Sequence, residues 1–514
     1  CGNLQIFHST YFSLHLMPDH CYRSAMSSYD LLCDKTREIS LLGNTAGVLG
    51  WDQETYMPKG GVPYRAKQLS WLSGKIHELG TGDKYRAALE SAEQESGDDT
   101  QAANVRELRH RFDRATKLPQ SLVEKASETS SLAKAAWAEA RSTNNFPLFA
   151  PHLETLLEIA REKAELWAYD DEPYDALLEG YERGAKTSDI ATIFDTVGDE
   201  LAATAQAAVE KSASTPSDIL AGHYAEEKQQ ILNREVAEDI GFDFNNGRID
   251  TTTHPFCTGL GPGDTRLTTR YLENNFTSSL FGVLHEAGHG LYDQGLSTAQ
   301  HGLPAGNAVS LGIHESQSRL WENHVGRSRA FWTKWLPRTQ EIFPNLAHLD
   351  LDTFLSAITR AEKSYIRVEA DESTYDLHIL LRFGLERRML NKEIEVADIP
   401  AAWNEQFQKF FGMTPPDDTN GCLQDIHWSM GGLGYFATYT LGNFNAAQLH
   451  HCAMQDESVA SASANANYQP LLQWMREKIH SKGSILFPQD LMKSATGEGT
   501  NPQYHLDHLK RRFL

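Results

Sequence analysis

His285-Glu286-Ala287-Gly288-His289 places the tightest constraint on this chain. Two imidazoles four residues apart leave one face of an α-helix, so the segment must be helical for both to hold one metal ion. Glu286 projects about a quarter-turn away, where its carboxylate reaches a metal-bound water rather than the metal. This is the HExxH arrangement of zinc hydrolases. Leu280, Leu284, Ala287 and Leu291 recur at helical spacing through the motif, which predicts a packed helix with one apolar face. Thr277 and Ser278 are the expected N-caps. Gly288 and Gly290 each cost roughly 1 kcal/mol in a helix against Ala. Their pairing beside a metal ligand predicts that a strand or a substrate backbone comes close.

The five-letter match does not suffice alone. With 21 His and 69 acidic residues in 514, the pattern arises by chance on the order of once in ten such chains. A catalytic zinc takes three protein ligands and keeps a position for water, so a third ligand is required. Glu315, in His314-Glu315-Ser316-Gln317, is the best placed. Residues 310–321 read as a helix, and the 26 residues from His289 permit an antiparallel return. His314 satisfies the same spacing and stays open as an alternative. The ligand set accepts Zn²⁺, with Co²⁺ or Mn²⁺ able to substitute.

Composition narrows the class. A formal net charge of −22 argues against nucleic-acid and anionic-membrane partners, which need clustered Lys and Arg. The 40% hydrophobic content supports a sizeable core, and no apolar run approaches the roughly 20 residues that span a bilayer. The six scattered cysteines form no CxxC pair and read as reduced thiols of a cytoplasmic protein. Residues 1–25 are rich in aromatics and His, lack an initiator Met, and do not resemble a secretory signal. They are expected to be a non-native or upstream extension, with 26–514 forming one catalytic domain.

The remaining pattern is mainly helical. Leu153, Leu156, Leu157, Ala160, Ala164 and Trp167 keep helical spacing after Pro147, and Ser188 is the expected cap of a second run through Leu201. Stretches near 30–50, 100–142, 225–240, 353–390 and 470–480 behave alike, and the acidic segment 93–101 reads as a solvated inter-helix loop. One region differs. Residues 247–254 and 264–271 are rich in β-branched side chains and flank a Gly/Pro turn at 259–263, which predicts a small antiparallel sheet. An edge strand there, just before the HExxH helix, is suited to align a peptide substrate.

Together these segments resemble the carboxypeptidase Taq type of metallocarboxypeptidases. The resemblance rests on His254-Pro255-Phe256, Asp264-Thr265-Arg266-Leu267-Thr268-Thr269, the HExxH segment, His314-Glu315-Ser316-Gln317, Ile366-Arg367-Val368-Glu369-Ala370-Asp371 and Gly421-Cys422-Leu423-Gln424-Asp425-Ile426-His427-Trp428. Trp51-Asp52-Gln53-Glu54 and 431–443 agree, and the match runs in order from about residue 28 to the C-terminus. It implies a helical fold with a deep central groove, a small sheet beside the zinc helix, and commonly a homodimer. It implies metal ligation by His285, His289 and Glu315, with Glu286 as general base.

Release of a C-terminal residue further requires recognition of the free α-carboxylate. The planar fork of arginine suits this, and Arg367 is the first choice and Arg266 the second. On a helix, Arg367 and Asp371 would instead form an i, i+4 bridge. His254 and Tyr435 are candidate donors to the tetrahedral oxyanion. His427 is a candidate groove residue, oriented by Asp425, whereas His378 reads as a core histidine. The alternative function is a zinc endopeptidase or oligopeptidase of similar architecture, which needs no carboxylate-binding arginine.

Overall fold

The computed structural model describes residues 26–514. The expectation for residues 1–25 therefore lies outside the described residues. Among those described, twenty α-helices and three short strands follow one another, so the mainly helical expectation holds. No helix among them is long and apolar enough to cross a membrane.

Where apolar periodicity was strong, helices follow it. Phe146–Trp167 begins with Pro147 in its first turn, where a missing N–H costs nothing. It buries Leu153, Leu156, Leu157, Ala160 and Ala164, the face set by their spacing. Helix starts differ by a residue or two from expectation. Thr187–Ser212 begins after Lys186, so Ser188 lies inside the first turn rather than capping it. The acidic loop ends at Asp98, which caps Asp99–Lys117 by accepting from the Gln101 amide at 2.8 Å.

The sheet is not purely antiparallel. Strand β1 (Gly247–Thr251) pairs with β3 (Asp264–Thr269) in parallel, Gly247 opposite Thr265 and Thr251 opposite Thr269. The segment assigned largely to the turn supplies β2 (Cys257–Gly261), which forms the antiparallel hairpin with β3. The order is β1-β3-β2, with β3 in the centre. The reason is the chain reversal at 262–263, supported by Gly261 and Gly263 at φ of 140° and 80°. That reversal uses one edge of β3 for β2, and the chain before it returns along the other edge.

Two large apolar clusters surround the central helices. One includes Phe149, Phe383, Trp403, Phe407 and Phe436; the other includes Phe242, Phe276, Leu284, Leu291, Trp321 and Trp332. Helix Ala437–Ala453 serves both, giving Leu441 and Phe444 to the first and Ala446 and Leu449 to the second. The HExxH helix, Phe276–Gly295, buries Leu280, Leu284, Ala287 and Leu291 in the second cluster. Its cap is Asn275, which accepts from the Ser278 amide at 3.3 Å, rather than Thr277 or Ser278.

The helix glycines have specific neighbours. A Cβ on Gly290 would meet Phe242 and the β3 residue Leu267 at 2.7 and 2.9 Å, as expected for a close strand. A Cβ on Gly288 would lie 2.5 Å from the Gln317 carbonyl oxygen, so that glycine admits a helix backbone instead. That helix, Leu311–Arg319, carries Glu315. On its other side Gly442 does the same, since a Cβ there would sit 2.5 Å from Glu315 Cγ. Glycines on two helices thus let the Glu315 helix sink between them.

Candidate metal centre

This close packing brings His285, His289 and Glu315 together, with one ligand atom from each lying within 4.8 Å of the others. Glu315 Oε2 is 3.7 Å from His285 Nε2 and 3.5 Å from His289 Nε2. Ligands about 2.0–2.2 Å from a tetrahedral zinc are separated by roughly 3.4 Å, so the spacing fits such an ion. The nitrogen-and-carboxylate donor set fits it chemically.

The remaining ring nitrogens are already engaged. His285 Nδ1 donates to Glu322 Oε2 at 3.0 Å. With its Nε2 directed to Glu315, His289 Nδ1 donates to His314 Nδ1 at 2.5 Å, and His314 Nε2 donates to Asp293 Oδ1 at 3.3 Å. A carboxylate therefore stands behind each ligand imidazole, once directly and once through a third ring, which fixes ring orientation and tautomer. His314 stands behind His289 and outside the cluster of ligand atoms. Glu322 lies in a π-helical turn, Leu320–Val325, that continues the Glu315 helix. Such turns recur at functional sites because they redirect side chains within a helix.

Charge and burial keep Glu315 and His289 in binding form. Burial opposes ionisation of Glu315, but Arg319, donating to Oε1 at 2.7 Å, and His285 hold its carboxyl well below the usual range. Burial and the adjacent His314 lower His289 to about 4, so its ring is neutral at pH 7. Burial also opposes protonation of His285, yet Glu315 and Glu322 leave its affinity for a proton raised. Glu286 is buried and makes no hydrogen bond with the described residues; burial pushes its carboxyl up to about 7. Proton affinity near neutrality suits a group that must take up and release a proton.

Arg367 is not on a helix. It occupies a single 3₁₀ turn, Arg367–Glu369, in the irregular segment between helices Leu351–Ile358 and Tyr375–Leu390. Its partner is Asp425, reached from Nη2 at 2.8 Å and Nε at 3.2 Å, and not Asp371. Arg382 Nε donates to the other Asp425 oxygen at 2.7 Å. Asp425 thus serves two arginines, and His427 Nδ1, 3.9 Å away, is buried without a hydrogen bond. Arg367 Nη1 also donates to the Tyr375 hydroxyl at 2.9 Å, and Arg319 lies 4.5 Å above the Tyr375 ring. Two side chains therefore link Arg367 to the candidate ligand Glu315.

Tyr435 and His427 sit in the same aromatic wall. Tyr435 packs edge-on against Tyr181 and Tyr439, and His427 lies 5.4 Å from the Tyr435 ring. A cavity of about 440 Å³, lined in part by Tyr181 and His314, opens beside this wall. The other candidates are elsewhere. His254 is exposed in the link between β1 and β2 and makes no hydrogen bond with the described residues. Arg266 closes its fork on its β3 neighbour Asp264 at 2.8 and 2.7 Å and lies 4.2 Å over Trp51. His378 is fully buried against Phe407 and Phe411.

Sequence reasoning missed Glu322, Arg319, Tyr375 and Arg382. A signal existed for the first two, because Glu315, Arg319 and Glu322 follow i, i+4, i+7 spacing on a segment that also supplies the apolar Ile313, Leu320 and Trp321. Charges on one stripe of a buried helix require partners. Tyr375 and Arg382 had no such signal, since their partners are 8 and 43 residues away.

The fold and the chemistry of this cluster agree with comparisons to known proteins. The profile of the carboxypeptidase Taq (M32) metallopeptidase family matches residues 32–513. Thermostable carboxypeptidase 1 of Thermus thermophilus is 38% identical over 502 residues, covering 95% of this chain and 98% of the relative. Carboxypeptidase 1 of Bacillus subtilis is 35% identical, covering 97% and 99%. Among solved structures, the M32 carboxypeptidase of Deinococcus radiodurans R1 superposes with a TM-score of 0.92 at 36% identity, covering 95% and 98%. The chain belongs to the carboxypeptidase Taq (M32) family and is a metallocarboxypeptidase.

Proposed function

We propose that the chain is a zinc carboxypeptidase that releases single amino acids from peptides with a free C-terminus. The observation that carries this reading is the convergence of His285 Nε2, His289 Nε2 and Glu315 Oε2 while both Nδ1 atoms are held from behind. A bound zinc supplies Lewis-acid polarisation of the scissile carbonyl and a lowered pKa for water. The protein's part is to orient and to move protons. Glu286 takes a proton from the attacking water onto its carboxylate and delivers it to the departing amine.

Arg367 pairs with the substrate's α-carboxylate through the N–H groups of Nη1 and Nη2 that Asp425 and Tyr375 leave available. It is preferred to Arg266 because Tyr375 and Arg319 connect it to Glu315, whereas Arg266 pairs with Asp264 and stacks on Trp51. Tyr435 donates its hydroxyl to the oxyanion, supported by its place near Glu315 and Tyr375, whose charges add to burial in raising its pKa. His254 would donate from its exposed loop, and His427 would line the substrate groove beside Tyr435. The catalytic unit is 26–514. Free thiols at Cys33, Cys257, Cys422 and Cys452 support a cytoplasmic setting, and the exposed Tyr64 and Trp71 support a homodimer.

The test uses blocked peptides with free or amidated C-termini, each with and without a chelator. Chelator-sensitive release of the last residue from the free acid alone is expected. Equal cleavage of the amide would contradict carboxylate recognition.

A further inference from the structure

A second histidine–carboxylate cluster lies on the reverse of the π-helical turn. His324 is two residues after Glu322 and is 7% exposed. Its ring centroid is 4.0 Å from that of His508, on the C-terminal helix Gln503–Phe513. Glu372, just before helix Tyr375–Leu390, completes the group, and ligand atoms of the three residues lie within 4.8 Å of one another. None of the three belongs to the HExxH site or to the residues assigned above to substrate.

Its construction repeats that of the catalytic cluster. Glu315 presents one oxygen to two imidazoles and the other to Arg319. Glu372 presents Oε1 to His508 Nε2 at 2.7 Å and Oε2 to Arg512 Nη1 at 2.6 Å. In both places an arginine fixes the carboxylate and leaves its far oxygen directed at histidine nitrogens. His324 itself makes no hydrogen bond with the described residues. Its ring nitrogens are thus not committed to a protein partner and are free to take a ligand role beside Glu372 and His508.

We propose that His324, Glu372 and His508 form a second metal site, for a structural divalent transition ion of the zinc class. Two imidazoles and one carboxylate are the ligands such ions take, with water or a further side chain completing the shell. His450, stacked on His324 with centroids 5.0 Å apart, is a further imidazole beside the site. The protonation states suit ligation. Burial holds His508 at about 4, against the pull of Glu372, and holds His324 well below its usual value, so both rings carry free lone pairs at pH 7. The counter-argument is Arg512, a fixed positive charge beside the site; Arg319 holds the same relation to the HExxH cluster. The His508–Glu372 separation of 2.7 Å must open by less than about 1 Å to admit an ion in place of the shared proton.

A filled site would tie three distant segments together: the π-helical turn, the approach to helix Tyr375–Leu390, and the C-terminal helix. Since the same turn carries Glu322 behind His285, the ion would also steady a ligand of the first site.

The test measures zinc per chain, after metal stripping, reloading and removal of loose ions, in the full-length protein and three variants. The wild type should hold two equivalents, His289→Ala one, His324→Gln one, and the double variant none. The His289→Ala protein should also melt higher with zinc than without it, and the double variant should not. Circular dichroism checks folding, and Glu372→Gln replaces His324→Gln should that variant unfold. One equivalent in the wild type would overturn the proposal, as would a second equivalent that survives both His324→Gln and Glu372→Gln. Neither result would touch the catalytic assignment, which is read separately from the equivalent lost in His289→Ala.

Discussion

The ligand cluster and the Arg367 neighbourhood are both buried and both charged, yet they are built differently. In the first, two candidate ligands are four residues apart on one helix and the third is on the helix packed across Gly288. In the second, Arg367, Arg382 and Asp425 meet from a 3₁₀ turn, a helix and a loop 43 to 58 residues apart in pairs with Asp425. The metal cluster is a local device set into a rigid core. The arginine cluster is a long-range device whose geometry depends on the fold around it. A candidate metal site can thus be read from spacing, whereas the proposed recognition site needs the tertiary contacts.

Breaking the local device should have the largest effect. His289→Ala removes a proposed ligand and is expected to lose one equivalent of metal relative to the wild type together with measurable turnover, assayed by metal content after dialysis. Retention of a full equivalent in the HExxH site would contradict its role. Glu322→Gln tests the support behind His285. Loss of such a partner typically costs about 10–100-fold in metal affinity or activity. A competition titration with a chelator would measure this, and an unchanged affinity would make Glu322 merely structural.

The long-range device is tested by Arg367→Ala. Loss of one partner of a buried charge pair costs about 2–5 kcal/mol, so kcat/KM for free-acid peptides should fall on the order of 30-fold or more. Amidated peptides should lose little further. Equal losses on both substrates would point to disruption around the stranded Asp425 rather than to lost recognition.

A smaller effect concerns pH. The proton affinity of His285 is raised by Glu315 and Glu322 despite burial, and ligation requires the ring neutral. As pH falls through that raised value, a proton competes with the ion and apparent metal affinity weakens by about tenfold per unit. Affinity that does not change between neutral and mildly acidic solution would oppose this account. The smallest effect is expected from Arg266→Ala. Its exposed-side pairing with Asp264 and its stacking on Trp51 contribute on the order of 1 kcal/mol to stability, with both substrates affected alike. Selective loss of the free-acid substrate would transfer the anchor role to Arg266.

The same contrast explains how much was legible in the sequence. The HExxH helix, the Glu315 helix and Phe146–Trp167 follow from apolar periodicity because each buries one continuous face. Caps were placed less well, since Asn275 precedes the apolar run that identifies the helix. The sheet was located, but a short Gly-rich strand between two β-branched ones hid the β1-β3-β2 order. Apolar periodicity predicts helix over 353–390, although residues 359–374 form the irregular segment that presents Arg367. There, the Arg367 amide donates to Gln424 Oε1 instead of to a helical carbonyl, its guanidinium reaches Asp425, and nothing within the segment announces partners so remote.

The central claim is that this cluster holds the metal and that Glu286 acts on water beside it. The most direct test is Glu286→Gln, with metal content and kcat measured on the same preparation. The amide is nearly isosteric and not a ligand, so a full equivalent of catalytic-site zinc should remain while kcat falls by about 10²–10⁴-fold, the usual worth of a general base. Retained zinc with near-normal kcat would contradict the assignment of Glu286. Loss of the zinc would instead make this carboxylate part of the metal's support.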